Sequence, residues 1–170
     1  MKEKNTLIRN LLLRYGAIIG AFWVFKYLFL IGSGFTDHVF IYIYYILNIG
    51  TFLLIYIYYF KLRKISDSLW RCLKMMMLIC FIGSLVEGVV MLLHYTVIHP
   101  EYFSAKVTFL PQMFVETVTG DETGTSVWMR MVSSKSFYII TNVIGKVFVG
   151  SFLTLAIALF SNNKRKQVKE

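Results

Sequence analysis

The stretch that decides the fold is Met75–Ile98, "MMMLICFIGSLVEGVVMLLHYTVI". It is longer than the ~20 residues that carry an α-helix across a hydrocarbon layer. Its one carboxylate, Glu87, lies about 12 residues in, near mid-depth. Three further runs have the same character: 11–31, 39–60 and 137–160. Four such runs, separated by charged segments, cannot all be hidden in the core of a 170-residue soluble domain. The expectation is an all-α polytopic membrane protein. It is a single membrane domain over 1–170, built as a bundle of four transmembrane helices. The longest connection, 99–135, is placed outside.

Composition agrees. Hydrophobic residues make up 57% of the chain and charged residues 16%, with two prolines and a mean hydropathy of +0.63; soluble domains are roughly a quarter charged. The first run is too long for the apolar core of a signal peptide, and no small-x-small site follows it.

The net charge of +9 resembles a nucleic-acid footprint until its distribution is read. Lys2, Lys4, Arg9 and Arg14 precede or open the first run. Lys61, Arg63, Lys64, Arg71 and Lys74 fall between the second and third, and Lys164, Arg165, Lys166 and Lys169 follow the fourth. With four spans, these segments share one side. Asp37, Glu101, Glu116, Asp121 and Glu122 fall on the other side, against Lys106, Arg130 and Lys135. This is the positive-inside pattern, with both termini cytoplasmic. The expected partner of the basic segments is the lipid bilayer, not nucleic acid.

Within the first run, Gly16 and Gly20 are four apart and share a helix face suited to close packing. Lys26 lies about 15 residues past Leu11, roughly 22 Å along a helix; it either snorkels outward or serves the interior. Trp23 reads as packing or lipid-facing. In the second run, Tyr42, Tyr44 and Tyr45 mark one interface and Tyr56, Tyr58 and Tyr59 the other, as an aromatic belt. Asn48 is near mid-depth and is expected to point into the bundle. In the third, Gly83, Ser84, Met91 and His94 fall on or beside the Glu87 face, so Glu87 is predicted to face the bundle. In the fourth, Asn142, Lys146 and Gly150 recur every four residues.

An ionised side chain at mid-bilayer is normally paired, neutral or beside water. Glu87 and Lys146 lie at similar depth on oppositely directed spans. Linear spacing therefore predicts that they meet if the helices are neighbours, with Asn48 or Asn142 assisting. Lys26 is the alternative cation, and a lone neutral Glu87 bonded to Ser84 or to a backbone carbonyl is the remaining alternative. His94 suits a path or polar-ligand role, since its charge changes near neutral pH.

Signs of catalysis are absent from the pattern. Ser84 has no histidine at matching depth, Asp37 and Asp67 fall on opposite sides, and no HExxH occurs. Cys72 and Cys80 have neither the spacing nor the compartment for a disulfide, and no histidine partners for a metal. The expectation is no catalytic residue, no metal and no cofactor. In the loop after the third run, 108–118 reads as a short interfacial helix and 119–124 as an exposed turn.

The arrangement resembles the DUF4199 family of small four-span membrane proteins, found mainly in Bacteroidetes. "RYGAIIG" is similar to that family's opening, at Tyr15, Gly16 and Gly20. "YTVIHPEYF" is similar to its stretch after the third span at His99, Pro100, Glu101 and Tyr102, with His99 where the family has asparagine. "GSFLTLAIALFSNNKRK" is similar to its last span and basic tail. The resemblance implies a Gram-negative inner-membrane protein and carries no activity. The reading is a non-enzymatic accessory or assembly protein, acting as a homo-oligomer or with another envelope membrane protein. The alternative is an oligomeric transporter of a small solute, protons or lipid headgroups through Glu87, Lys146 and His94.

Overall fold

The structure is a computed structural model that describes residues 2–32, 38–66, 68–102 and 134–167. Four long helices account for most of them: α1 Lys2–Gly32, α2 His38–Ile65, α3 Leu69–Leu93 and α4 Lys135–Gln167. A π-helical turn, His94–Ile98, continues α3. No strand occurs among the described residues. Four stretches are long and apolar enough to cross a membrane: Thr6–Gly32, His38–Ile65, Leu69–Ile98 and Lys135–Ser161. The protein is all-α and multi-pass.

These stretches contain the four predicted runs and overshoot them. The basic flanks of Lys, Arg and Leu are good helix formers, so the helices do not stop where hydropathy falls. The predicted interfacial helix at 108–118 and the turn at 119–124 lie outside the described residues, as does the bend after Gly32.

The chain divides into two compact units, Met1–Glu87 with Ile144–Glu170, and Gly88–Val143. All four helices contribute to the first. There α1 and α3 run parallel. A Cβ added at Gly16 would strike the Ile82 side chain, and one at Gly20 would lie 2.9 Å from the Gly83 carbonyl oxygen. Hydrocarbon tails supply no hydrophobic drive between helices, so close backbone approach is what gains dispersion contacts. Ile19 fills the seam beside Gly83 and is fully buried.

Helix α2 runs antiparallel to α1. Tyr15 stacks on Tyr58 with ring centroids 4.3 Å apart, and the tip of Phe22 sits against Gly50. Helix α4 runs antiparallel to α3, with Gly150 lying against Cys80. The core of this unit includes Leu12, Ile55, Leu62, Met76, Ile79 and Ile157, and lies toward the helix ends that carry the basic flanks. Tyr58 and Tyr59 belong to it, being 4% and 2% exposed. They therefore depart from the expected inner aromatic belt: stacking on Tyr15 turns Tyr58 inward, while Tyr56 stays exposed. Tyr42 and Tyr45 are exposed near the other end of α2.

In the second unit, the end of α3 and the π turn lie antiparallel to the start of α4. Gly88 packs on Ile139 and Val143, and the Asn142 amide donates to Met91 Sδ at 3.3 Å.

Candidate functional site

A polar chain crosses the first unit. Glu87 is buried, one helical turn beyond Gly83, where the small residues bring α3 close to its neighbours. Its carboxylate is ion-paired with the Lys146 ammonium of α4. The ammonium also lies 4.7 Å from the centroid of the Trp23 ring, within cation–π range. Trp23 is buried, and its indole N–H donates to Thr51 Oγ1 of α2 at 3.1 Å. One turn along α1, buried Lys26 donates to Asn48 Oδ1 at 2.6 Å and sits 4.5 Å from the Tyr44 ring centroid. The linked residues thus come from all four helices.

The sequence left two cations open for Glu87, and the structure places Lys146 on it. Lys26 has an interior role, but with Asn48. Neither asparagine reaches the pair. Asn48 is exposed on α2 and is used by Lys26, and Asn142 is bonded to Met91. Asn48, though exposed as a whole residue, thus turns its amide oxygen to Lys26 of another helix and not to the Glu87–Lys146 pair. Helix α2 is apolar around its whole circumference, so hydropathy does not mark which face turns inward. The Ser84 hydroxyl donates to Phe81 O within its own helix, not to Glu87, and Thr154 donates likewise to Gly150 O. Gly16, Gly20, Gly83 and Gly150 all lie at helix contacts.

Trp23 and Thr51 are the residues that sequence reading missed. The signal that could have found them is spacing. Trp23 lies one turn from Lys26, and Thr51 one turn from Asn48, so each pair shares a helix face.

The second unit holds a separate cluster. His94 is buried, with its ring centroid 4.8 Å from that of Tyr102 and 6.5 Å from that of His99. Tyr95 stacks near Tyr102 and meets Tyr138 edge-on. The π turn explains the arrangement. The His99 N–H donates to His94 O at 2.9 Å, five residues back. In that register the donor for Tyr95 O would be the nitrogen of Pro100, which bears no hydrogen. Lys135 Nζ supplies the bond instead, at 2.6 Å. The proline itself was legible in the sequence. The five-residue register and the role of Lys135 were not.

Among the described residues, no three of His, Cys, Asp and Glu gather as a metal site, and both cysteines are free and buried. The family described as protein of unknown function (DUF4199) matches residues 14–163. The chain belongs to this family. No curated protein and no solved structure matches it. The DUF4199 match includes all the polar-chain residues and the His94 cluster, and begins after Arg9.

Proposed function

We propose that this DUF4199 protein is a non-enzymatic accessory or assembly protein of a bacterial inner membrane, with both termini on the cytoplasmic side. The observation that carries this reading is the Glu87–Lys146 ion pair. Each charge neutralises the other, and the pair sits where an isolated charge costs several kcal/mol. A carboxylate spent on a lysine is no free general acid or base, and the hydroxyls of Ser84 and Thr154 are spent on backbone carbonyls. The polar chain specifies which helices pair. The exposed face of α2 is left for lipid, a second copy or another envelope membrane protein.

The membrane sidedness is motivated by the distribution of lysine and arginine. In a cysteine-free background, single cysteines at Ser68 and Ser161 should label from the cytoplasm and one at Thr125 from outside. External labelling at Ser68 in intact cells would sink that topology.

The experiment for the functional reading is a double-mutant cycle with Glu87→Gln and Lys146→Met. Each single change leaves a buried group without its partner, so each lowers folded yield and unfolding temperature. The double variant should recover much of the loss, with a coupling of about 1–2 kcal/mol at most. If the pair serves assembly of the fold, cellular function returns with stability. Recovery of stability without function would overturn this reading in favour of a transport path. Additive losses would show that the pair does not couple.

A further inference from the structure

The π turn at the end of α3 competes with an α-helical turn for one backbone donor. The His99 N–H donates to His94 O, five residues back, at 2.9 Å. The α pattern would send the same N–H four residues back, to Tyr95 O. In the structure that carbonyl accepts from the Lys135 ammonium, at the start of α4, at 2.6 Å. With Lys135 on Tyr95 O, the His99 N–H is released to His94 O and the π register closes. Pro100 cannot take the place of Lys135, because it has no N–H to give. Losing Lys135 would remove the bond that the π register gives Tyr95 O, whereas the α register gives that carbonyl the His99 N–H. Tyr95 is fully buried, so the difference is felt in full.

We propose that the end of α3 is a two-register element with Lys135 as its latch: π with the ammonium on Tyr95 O, α without it. A hydrogen bond from an ammonium is roughly twice as strong as one between neutral groups, so the latch can hold a register that is rare in helices. The register decides which rings meet. In the π turn the His94 ring centroid lies 6.5 Å from that of His99 and 4.8 Å from that of Tyr102. Five residues of α-helix would instead turn two side chains about 140° apart, and the histidines would part. Single π turns recur at functional sites for this reason. The first residue of α4 thus sets the ring geometry on α3, within one compact unit. An equilibrium moves only through an interaction that differs between its two states, and here that interaction is the Lys135 bond. None of these residues belongs to the polar chain around Glu87.

The test uses the full chain in mild detergent, with Cys72 and Cys80 replaced by alanine and with Leu93→Cys and Ile98→Cys introduced. Both positions are exposed. Dibromobimane, which fluoresces only when both of its ends have reacted with thiols, bridges this pair when it lies one π turn apart. In the α register the two thiols point about 140° apart and escape bridging. A second pair, Leu93→Cys with Val97→Cys, is four residues apart on one α-helical face and controls for reagent access. The readout is the ratio of the two bridging yields. Lys135→Met should lower it about three-fold or more, since an interhelical hydrogen bond in a membrane shifts an equilibrium by roughly three- to twenty-fold. Lys135→Arg keeps a cationic donor and should keep the ratio. If Lys135→Met folds poorly, Lys135→Gln, with its amide on a shorter stem, should lower the ratio in the same direction. An unchanged ratio in these variants would overturn the proposal. So would an equal loss of both pairs, which would mean that Lys135 holds the helix end without choosing its register. Failure of the 93/98 pair to bridge with Lys135 in place would overturn it as well.

Discussion

Along α1, the side turned to α3 carries Gly16, Ile19 and Gly20, and the side turned to α2 carries Tyr15, Phe22, Trp23 and Lys26. The first seam joins backbone to backbone. The second is spanned by long side chains: a stacked tyrosine pair, an indole on a threonine, an ammonium on an amide. The difference shows in burial. In the apolar window of α3, 44% of residues are buried inside the protein, against 6% for α2. Close approach fixes geometry, because neither backbone can yield. Side-chain reach leaves α2 held but largely turned to its surroundings. A membrane helix attached in this way keeps most of its surface for lipid or a partner.

The largest effect that would break this comparison is at Gly20. A methyl there would sit 2.9 Å from the Gly83 carbonyl oxygen and 3.1 Å from Gly83 Cα. Both are backbone atoms, so the helices themselves must separate. Gly20→Ala is expected to destabilise by about 1–3 kcal/mol, the range for overpacking a tight interior. Gly50→Ala is the control from the other seam. Its methyl meets only the tip of the Phe22 ring, which can rotate away. It should cost less than half as much in thermal unfolding under the same detergent conditions. Equal losses would mean that the two seams do not differ in kind.

A smaller effect is expected where side chains make the seam. Asn48→Leu removes the amide oxygen that accepts from Lys26. Interhelical hydrogen bonds in membranes average ~0.6 kcal/mol and reach ~1.7. The loss should fall at the upper end, because among the described residues Lys26 has no carboxylate partner to fall back on. Lys26→Met combined with Asn48→Leu should be milder than Asn48→Leu alone, since no buried ammonium is then left unpaired. A double variant that is worse than the single would show that Lys26 works through Tyr44 and not through Asn48.

These seams also explain what the sequence made legible. The spans were readable because apolar length is a one-dimensional quantity. The similar depth of Glu87 and Lys146 was readable because residue counting gives height in a bilayer. Lateral placement was not. The second run is apolar on every side, so nothing in it says that Asn48 turns to Lys26 or that Tyr58 turns to Tyr15. Trp23 carries the signature of an interfacial residue, yet its neighbours in space are a threonine and a lysine from other helices. Glycine was a better guide, since four-residue spacing at Gly16 and Gly20 marks a face and not just a depth.

The smallest expected effect is at Gly145, which sharpens the comparison from the opposite side. A Cβ there meets nothing within 4 Å, and the residue is exposed on α4 next to Lys146. With no seam to disturb, Gly145→Ala should be neutral or stabilise by up to ~1 kcal/mol through helix propensity alone. That would show that the penalty at Gly20 comes from the backbone contact, not from glycine replacement as such. The measurement is best made twice, in detergent on the isolated chain and in native membranes. A neutral change in detergent combined with lost folded yield in membranes would mean that the open face of Gly145 is covered there by another protein. A loss in detergent as large as that at Gly20 would remove the steric account of both positions.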